Sequence, residues 1–386
     1  MGTSYNLYAA LNRFTTACMK YLLSIFIFTG CFFFSQAQDS IQYRIIFIGD
    51  AGEINAQQKI ALEHAASQIL PGKTSVIYLG DNVYPKGLEL PGSKTAESTR
   101  EILRSQYRPM RSRGAPVYFI PGNHDWDKSG SQGLAKIKYQ GQFLQAQGDS
   151  LLQLVPANGC PDPVEINLTP LLTVIAYDSE WWLFPFDKAD TDGQCECKTK
   201  RDVIGKLEEL RYKNRNKILL LASHHPFTTY GVHGGKFTFK DHLFPLTALK
   251  KYLFIPLPVI GSLYPILRST FSHPEDVKHF LYKDMINKVS GAFEGFPNIV
   301  YVAGHEHGLQ LINGKRLQVV SGSGAKQTHV KKGKYSLFAE NRQGYVTADL
   351  LASNNLRLSF YINKDNKREQ VFSYEMGYTA VNDEQR

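Results

Sequence analysis

Five short apolar runs set the hydrophobic pattern of this chain. Each has the length of a strand, consists largely of β-branched, aliphatic or aromatic residues, and lacks the regular polar alternation of a strand with one face in water. The runs cover residues 43–48, 75–79, 116–120, 217–222 and 298–303. Such runs are typical of strands buried on both faces.

The segments between these runs predict further elements. Residues 55–70 space Leu62, Ala66 and Ile69 as a crossover helix would, and residues 201–214 have the composition of a solvent-facing helix. Residues 171–177 predict another strand. Two alternating runs within residues 344–360 flank Asn354-Asn355, which predicts a β-hairpin. The succession strand, helix, strand indicates a layered α/β fold, and no solenoid-like repeat is found.

The N-terminus carries an apolar segment of a different kind. Residues 21–34 are uncharged, follow Lys20 and precede Ser35-Gln36-Ala37. This is the pattern of a secretory signal, so we expect cleavage after Ala37, with residues 1–18 as an over-called start. A membrane span would need about 20 apolar residues. A lipoprotein signal with an acylated Cys31 and a buried core helix are the alternatives.

Residues 250–268 form a second apolar stretch, which Pro256, Pro258 and Pro265 interrupt. An uninterrupted helix would not tolerate these prolines, so a membrane span is not expected. The stretch lies in a long segment, about 236–297, which we interpret as an insertion. Plain packing, a lid and a membrane-contacting loop are all open for it.

Composition limits the function classes. The chain has 386 residues, 43% hydrophobic and 20% charged, which is ordinary globular material. Its formal charge of +9 falls to +7 once Arg13 and Lys20 leave with the signal. The basic excess is compatible with anionic substrates. Nucleic acid is not an expected partner, because no stripe of Lys and Arg interleaved with aromatics is present.

Each of the five apolar runs ends in possible metal ligands. The motifs are Gly49-Asp50-Ala51-Gly52, Gly80-Asp81-Asn82-Val83-Tyr84, Gly122-Asn123-His124-Asp125, Ser223-His224-His225 and Gly304-His305-Glu306-His307. In a mostly parallel sheet the carboxyl ends of the strands share one edge, so these side chains are expected to converge. Six of the eleven histidines lie in these motifs or just after them.

The donor types indicate two metal ions. Carboxylates, a phenol, an amide and several imidazoles exceed the needs of one tetrahedral ion, and a carboxylate can bridge two ions. Such ligands suit Fe, Mn or Zn. The phenolate of Tyr84 would favour a trivalent ion such as Fe(III), unless Tyr84 only packs against the sheet edge.

The ordered set GDAG, GDNVY, GNHD, HHP and GHEH resembles the calcineurin-like metallophosphoesterases, and within them the purple acid phosphatases. The resemblance runs from residue 44 to about 311. It implies a four-layer α/β/β/α sandwich with a dinuclear metal site at the carboxyl edge of the strands. It also implies that a ferric ion is held by Asp50, Asp81, Tyr84 and His307, and that a divalent ion (Fe, Zn or Mn) is held by Asp81, Asn123, His224 and His305.

The resemblance further implies an acid phosphatase-like reaction, in which a hydroxide activated by the metals attacks a phosphomonoester. His124 is then the candidate for substrate contact or proton donation, with Asp125 orienting it, and His233 is a second substrate-facing candidate. His225 and Ser223 depart from the residues that the family often has there. The insertion leaves substrate size and access open.

Three cysteines remain after signal removal. One of Cys195 and Cys197 is expected to pair with Cys160, because those two lie too close together for an easy mutual bridge. A cysteine zinc knuckle is the weaker alternative. Trp181 and Trp182 are expected either to form a wall of the cleft or to pack in the core.

The sequence thus predicts an exported enzyme with one domain over residues 38–386 and a C-terminal β-hairpin region at about 335–375. Two other functions remain open. One is a phosphodiesterase or pyrophosphatase with two Mn or Zn ions, in which Tyr84 is not a ligand. The other is a surface binding protein without activity. Oligomeric state is left open.

Overall fold

Two stacked β-sheets with helices on their outer faces form the protein in a computed structural model. The structure describes residues 39–188, 193–238 and 273–380, and a few isolated positions between 240 and 257. The predicted signal, with Cys31, and nearly all of the apolar stretch 250–268 lie outside the described residues. Residues 41–386 constitute one compact unit.

The first sheet begins with strands that alternate with helices along the chain. These elements are β1 (Ile41–Ile48), α1 (Ala56–Ala66), β2 (Thr74–Leu79), α2 (Ala96–Arg111), β3 (Val117–Ile120), α3 (Gly133–Gln145) and β4 (Leu152–Leu154). The four strands are parallel neighbours in chain order. The side chain of Asn55 starts α1, since its Oδ1 accepts a hydrogen bond from the Gln58 N–H at 2.9 Å.

The second sheet is built from the middle of the chain. Its elements are β5 (Val164–Asn167), β6 (Leu172–Ala176), α4 (Ser179–Leu183), α5 (Lys200–Lys213), β7 (Ile218–Ala222), α6 (Phe280–Ala292), β8 (Ile299–Ala303), β9 (Leu309–Asn313), β10 (Leu317–Ser321) and β11 (Ser336–Glu340). The strand order is β11-β9-β10-β8-β7-β6-β5, and the central strands β6, β7, β8 and β10 are parallel.

The chain then returns to the first sheet. β12 (Gly344–Leu351), β13 (Leu356–Lys364) and β14 (Lys367–Met376) pair antiparallel, and β12 lies beside β1, so the order is β14-β13-β12-β1-β2-β3-β4. The predicted hairpin around Asn354 is confirmed. All of β12 is buried, however, because it lies inside a sheet that is covered on both faces.

Both faces of the central strands are buried, as their apolar runs predict. Ile45 and Phe47 of β1 belong to the core between the sheets, together with Leu220 of β7. Ile46 and Ile48 belong to the core beneath the helices. This alternation confirms the expected four layers. Among the described residues, no helix has both the length and the apolar character needed to cross a membrane.

The structure differs from the single sheet edge suggested by the pattern of runs. β1, β2 and β3 lie in the first sheet, whereas β7 and β8 lie in the second. The five polar motifs therefore come from two sheets. They meet because the carboxyl ends of these five strands lie on the same side of the molecule.

Candidate metal centre

The backbone is strained where three of the predicted ligands leave their strands. Asp50, Asp81 and His305 have φ values of 58°, 53° and 66°. A side chain other than that of glycine adopts this region rarely, and such strain is concentrated at functional sites. Each sharp turn directs the side chain beyond the end of the strand instead of across the sheet.

Close packing of the motifs requires glycine at two neighbouring positions. A Cβ atom on Gly80 would lie 2.4 Å from Nδ1 of His224, and one on Gly122 would lie 2.4 Å from Oδ1 of Asp81. Both positions therefore allow the ligand groups from different strands to approach each other.

One group of candidate ligands surrounds the Tyr84 hydroxyl. This hydroxyl donates to Oδ1 of Asp50 at 2.9 Å and lies 3.2 Å from Nε2 of His307. The same Asp50 oxygen is 3.4 Å from Nε2 of His307. Asp50 and Tyr84 are buried while the His307 side chain is 20% exposed, so the three ligand atoms converge at the edge of the buried interior.

Asp81 lies between this group and the next. Its Oδ1 accepts a hydrogen bond from the His124 backbone N–H at 2.9 Å and is 3.4 Å from Nε2 of His224. One ligand atom from each of Asp50, Asp81 and His224 can be chosen so that all three lie within 4.8 Å of one another. This position agrees with a bridging carboxylate.

The second group presents three lone pairs to a common point. Nδ1 of His224 donates to the Leu79 carbonyl at 2.7 Å, and Nε2 of His305 donates to the Glu275 carbonyl at 2.9 Å. The remaining nitrogens, Nε2 of His224 and Nδ1 of His305, are 3.1 Å apart. Oδ1 of Asn123 lies 3.0 Å from the same His224 nitrogen. Because acceptors repel at this distance, a bound cation is the natural partner for all three.

A model of the calcineurin-like phosphoesterases matches residues 43–309, more than half of the chain. The chain belongs to the calcineurin-like phosphoesterase family. It is therefore a metallophosphoesterase, an enzyme of a family that works with metal ions. Comparison with curated protein sequences finds no significant match.

Solved structures agree on the fold of this metallophosphoesterase. GAP50, the anchor in the inner membrane complex of Plasmodium, is 15% identical over 88% of this chain and 90% of its own, with a TM-score of 0.50. PhoD is 14% identical over 89% of this chain and 73% of its own, also with a TM-score of 0.50. A purple acid phosphatase from seeds of yellow lupin, Lupinus luteus, is 14% identical over 88% of this chain and 54% of its own, at 0.49. The TM-scores of 0.50 for GAP50 and PhoD indicate a shared fold.

Burial sets the charge state of the candidate ligands. It raises the pKa of the Asp50 carboxyl to about 7, and it raises the pKa of Tyr84 well above its usual value, as do the carboxylates of Asp50 and Asp81. It lowers the pKa of His305 well below its usual value. Burial would also raise the pKa of Asp81, but the nearby His224 and His124 hold that pKa below the usual range. At neutral pH His305 is therefore neutral, the state that binds metal.

The Asp125 side chain bonds to the backbone of two loops. Its carboxylate accepts hydrogen bonds from the backbone N–H groups of Gly122, Asn82 and Val83 at 2.8 to 3.2 Å. It thereby ties together the loops after β2 and β3. The His124 ring itself is held by the Pro85 carbonyl, 2.5 Å from its Nδ1, and the orienting role of Asp125 stays a prediction.

The structure brings the predicted His233 to the site. Its ring packs against that of His305 with centroids 3.9 Å apart, and its Nδ1 lies 3.3 Å from Asp276. The loop that carries His233 is fixed by Glu306, whose Oε2 accepts from the His233 backbone N–H at 3.0 Å. Glu306 is fully buried and holds a loop, a role that sequence analysis did not assign.

Sequence analysis also missed the end of the insertion. Oε1 of Glu275 accepts from Nδ2 of Asn123 at 2.9 Å, in addition to the carbonyl contact with His305. The Glu275-Asp276 pair was the available signal, but nothing in the local pattern linked it to a motif 152 residues earlier.

The structure also answers the predictions on the cysteines and on the two tryptophans. Cys160 pairs with Cys195, with Cα atoms 5.3 Å apart, while Cys197 is a buried free thiol. The expected bridge is confirmed. Trp181 and Trp182 are 5% and 2% exposed, so they pack in the core and do not form an open cleft wall.

Proposed function

We propose that this protein is an exported acid phosphatase-like enzyme that hydrolyses phosphomonoesters at two metal ions. Asp50, Asp81, Tyr84 and His307 would hold a ferric ion. Asp81, Asn123, His224 and His305 would hold a divalent one. The observation that carries the proposal is the convergence of lone pairs from His224, His305 and Asn123, next to a second cluster centred on the Tyr84 hydroxyl.

The donor set fits the proposed ions. Anionic oxygen donors gather around Asp50, and neutral nitrogen and amide donors gather around His224, which matches a harder and a softer ion. Two such ions would neutralise phosphate charge and lower the pKa of water, so that attack on phosphorus could occur below neutrality. Without a cation, Tyr84 stays protonated, since burial and two carboxylates raise its pKa.

His124 is suited to transfer a proton to the leaving oxygen. Its Nδ1 donates to the Pro85 carbonyl, which leaves Nε2 on the side of Asp81, at 3.9 Å from Oδ2. Its side chain is 18% exposed, so a substrate can reach it. His233, packed on His305, would contact the phosphate from the other side.

Export is proposed from the signal-like residues 21–34 and Ala37. The Cys160–Cys195 disulfide supports it, because disulfides persist mainly in oxidising compartments.

The test uses protein that begins at Gln38. We expect about two metals per chain, a broad visible absorbance band and hydrolysis of p-nitrophenyl phosphate on the acid side of neutrality. Tyr84→Phe should remove the band. Tyr107→Phe is the matched control, because this tyrosine is also buried but bonds to Gln147 away from the site.

Two outcomes would contradict parts of the proposal. Two metals without a band, together with faster cleavage of diesters than monoesters, would indicate a Mn or Zn diesterase in which Tyr84 only packs. A folded, metal-loaded protein that cleaves neither ester would remove the proposed reaction.

A further inference from the structure

A cavity of about 850 Å³ adjoins the candidate metal centre. His307 lines the cavity and also contacts Tyr84. The cavity therefore lies next to the proposed ferric ligands. Its size lies within the ~300–1,000 Å³ of small-molecule sites. We infer that this cavity binds the leaving group of the substrate, and that this group is a hydroxyl-rich moiety of the sugar class. The inference rests on the proposed phosphomonoesterase function.

The cavity is largely built by parts of the chain that the family model does not match. Residues 325–328, 342–343, 363 and 365 form much of its wall, and all of them follow residue 309, where the match ends. They come from the loop after β10, the turn before β12 and the end of β13. The metal ligands thus belong to the shared domain, whereas this wall depends on the C-terminal strands of this chain.

The wall offers hydrogen-bonding partners for hydroxyl groups. Six of its thirteen lining residues carry an amide or a hydroxyl, and each of these can donate or accept a hydrogen bond. These residues are Asn55, Gln57, Gln327, Thr328, Gln343 and Asn363. Among the described lining residues, His307 is the only ring, so a stacked aromatic leaving group would find no platform there.

The charges of the wall are balanced. Lys326 lies 3.6 Å from Glu53, and Nη2 of Arg342 contacts Glu340 at 2.5 Å, while Asp365 also lines the cavity. Paired charges attract a second phosphate weakly, but they accept hydrogen bonds from, or donate them to, neutral hydroxyls. A neutral polyol therefore fits better than a second anionic group.

The position of His124 agrees with this orientation of the substrate. Its ring packs edge-on against Tyr84 with centroids 4.5 Å apart, and the ammonium of Lys326 lies 3.4 Å from the centre of the same Tyr84 ring. The proposed proton donor and the cavity wall therefore flank one tyrosine. The inference places the carbon skeleton of the leaving alcohol in the cavity and its oxygen within reach of His124.

Asn363 offers a position at which the inference can be tested. Its Nδ2 donates to Oε1 of Gln57, while its buried Oδ1 has no hydrogen-bond partner among the described residues. A small rotation of this amide would allow Oδ1 to accept from a ligand hydroxyl. Asn363→Leu keeps a similar volume and removes that capacity.

The experiment compares glucose 6-phosphate with cyclohexylmethyl phosphate, which also has a six-membered ring and a primary ester but lacks the hydroxyls and the ring oxygen. The metal-loaded enzyme should show a kcat/KM at least ~10-fold higher for the sugar ester, the effect of one or two hydrogen bonds. Asn363→Leu should lower that ratio about 5-fold, because the sugar ester loses a hydrogen-bonding partner that the cyclohexyl ester does not use. Gln327→Leu, an exposed wall position, should lower it as well.

Asn355→Leu, in the turn before β13 and at the opposite end of that strand from Asn363, is the matched control and should keep the ratio. Equal kcat/KM values for the two esters in the wild type would overturn the inference, as would equal losses on all three substrates in Asn363→Leu. A wild type that hydrolyses p-nitrophenyl phosphate but shows no sugar preference refutes the cavity assignment alone. Failure to hydrolyse p-nitrophenyl phosphate refutes the proposed function instead.

Discussion

At the scale of single residues, the candidate site depends on which atom of each side chain faces inward. His224 presents Nε2 and His305 presents Nδ1, because the other nitrogen of each ring donates to a backbone carbonyl. Both carbonyls belong to segments remote in sequence, Leu79 and Glu275. The residue types could be read from the sequence, but the tautomers could not.

Removal of the Glu275 side chain tests this arrangement. Glu275→Ala should leave Nδ2 of Asn123 without its acceptor, so that the amide loses its orientation toward the second ion. We expect a ~10–100-fold loss of affinity for the divalent metal, measured by chelator competition with metal analysis. Glu275→Gln retains an acceptor oxygen and should lose much less. Equal affinity in wild type and Glu275→Ala would show that Asn123 is not held this way.

Asp178 provides a prediction on pH. Its carboxylate accepts from the N–H groups of Glu180 and Trp181 and from Nε1 of Trp126, yet burial raises its pKa to about 7. The folded state therefore holds its proton more tightly than the unfolded state. The associated stability is present below about pH 4 and is lost as the pH rises to about 7, with a slope near 1.4 kcal/mol per pH unit.

Urea unfolding of wild type and Asp178→Asn between pH 4 and 8 measures the pH-dependent contribution of Asp178 to the free energy of unfolding. Asparagine cannot titrate, so the free energy of unfolding of the variant should fall less steeply over that interval. Other buried carboxyls contribute to both proteins, and only the difference between them reports Asp178. Parallel curves would contradict the raised pKa.

At the scale of elements, the sequence patterns predicted most of the strands that carry the site. β1, β2, β3, β7 and β8 begin and end within two residues of their predicted bounds, because uninterrupted apolar runs leave few other structures available. The hairpin of β12 and β13 was also predicted, but not its burial. Burial depends on the neighbours a strand finds, and β12 pairs with β1, nearly 300 residues earlier.

The disulfide belongs to this scale because it ties the segment before β5 to the segment before α5. Cys160→Ser opens a loop of 35 residues and should lower the free energy of unfolding by about 3–4 kcal/mol. Cys197→Ser replaces a free buried thiol and should lower the free energy of unfolding by about 1 kcal/mol. Denaturant unfolding of non-reduced protein measures both. A larger loss in Cys197→Ser would contradict the pairing with Cys195.

At the scale of the whole molecule, the metallophosphoesterase is one unit in which both sheets supply the site and the C-terminal strands complete the first sheet. β12 separates β1 from β13 and contributes Val346, Ala348 and Leu350 to the core between the sheets. The part of the chain that matches the family ends before these strands, so family membership alone does not define the folding unit.

Truncation tests this dependence. A chain that stops after Arg342 keeps every candidate metal ligand but exposes one edge of β1 and one part of the inter-sheet core. We expect it to be insoluble or to lack a cooperative thermal transition. A chain that stops after Ala380 is the control and should unfold as the full protein does. A folded, metal-binding product ending at Arg342 would show that β12 to β14 are an appendage.

The sequence by itself determined which strands are buried, which polar groups follow them and the family to which those motifs belong, since these features depend on local composition and order. Only the tertiary structure decided that the motifs meet across two sheets, that Asp125 joins two loops, and that Glu275 reaches Asn123. It also decided that the C-terminal strands wall a cavity beside His307. Each of these depends on contacts between residues far apart in the chain, and local pattern carries no information about which distant segments pack together.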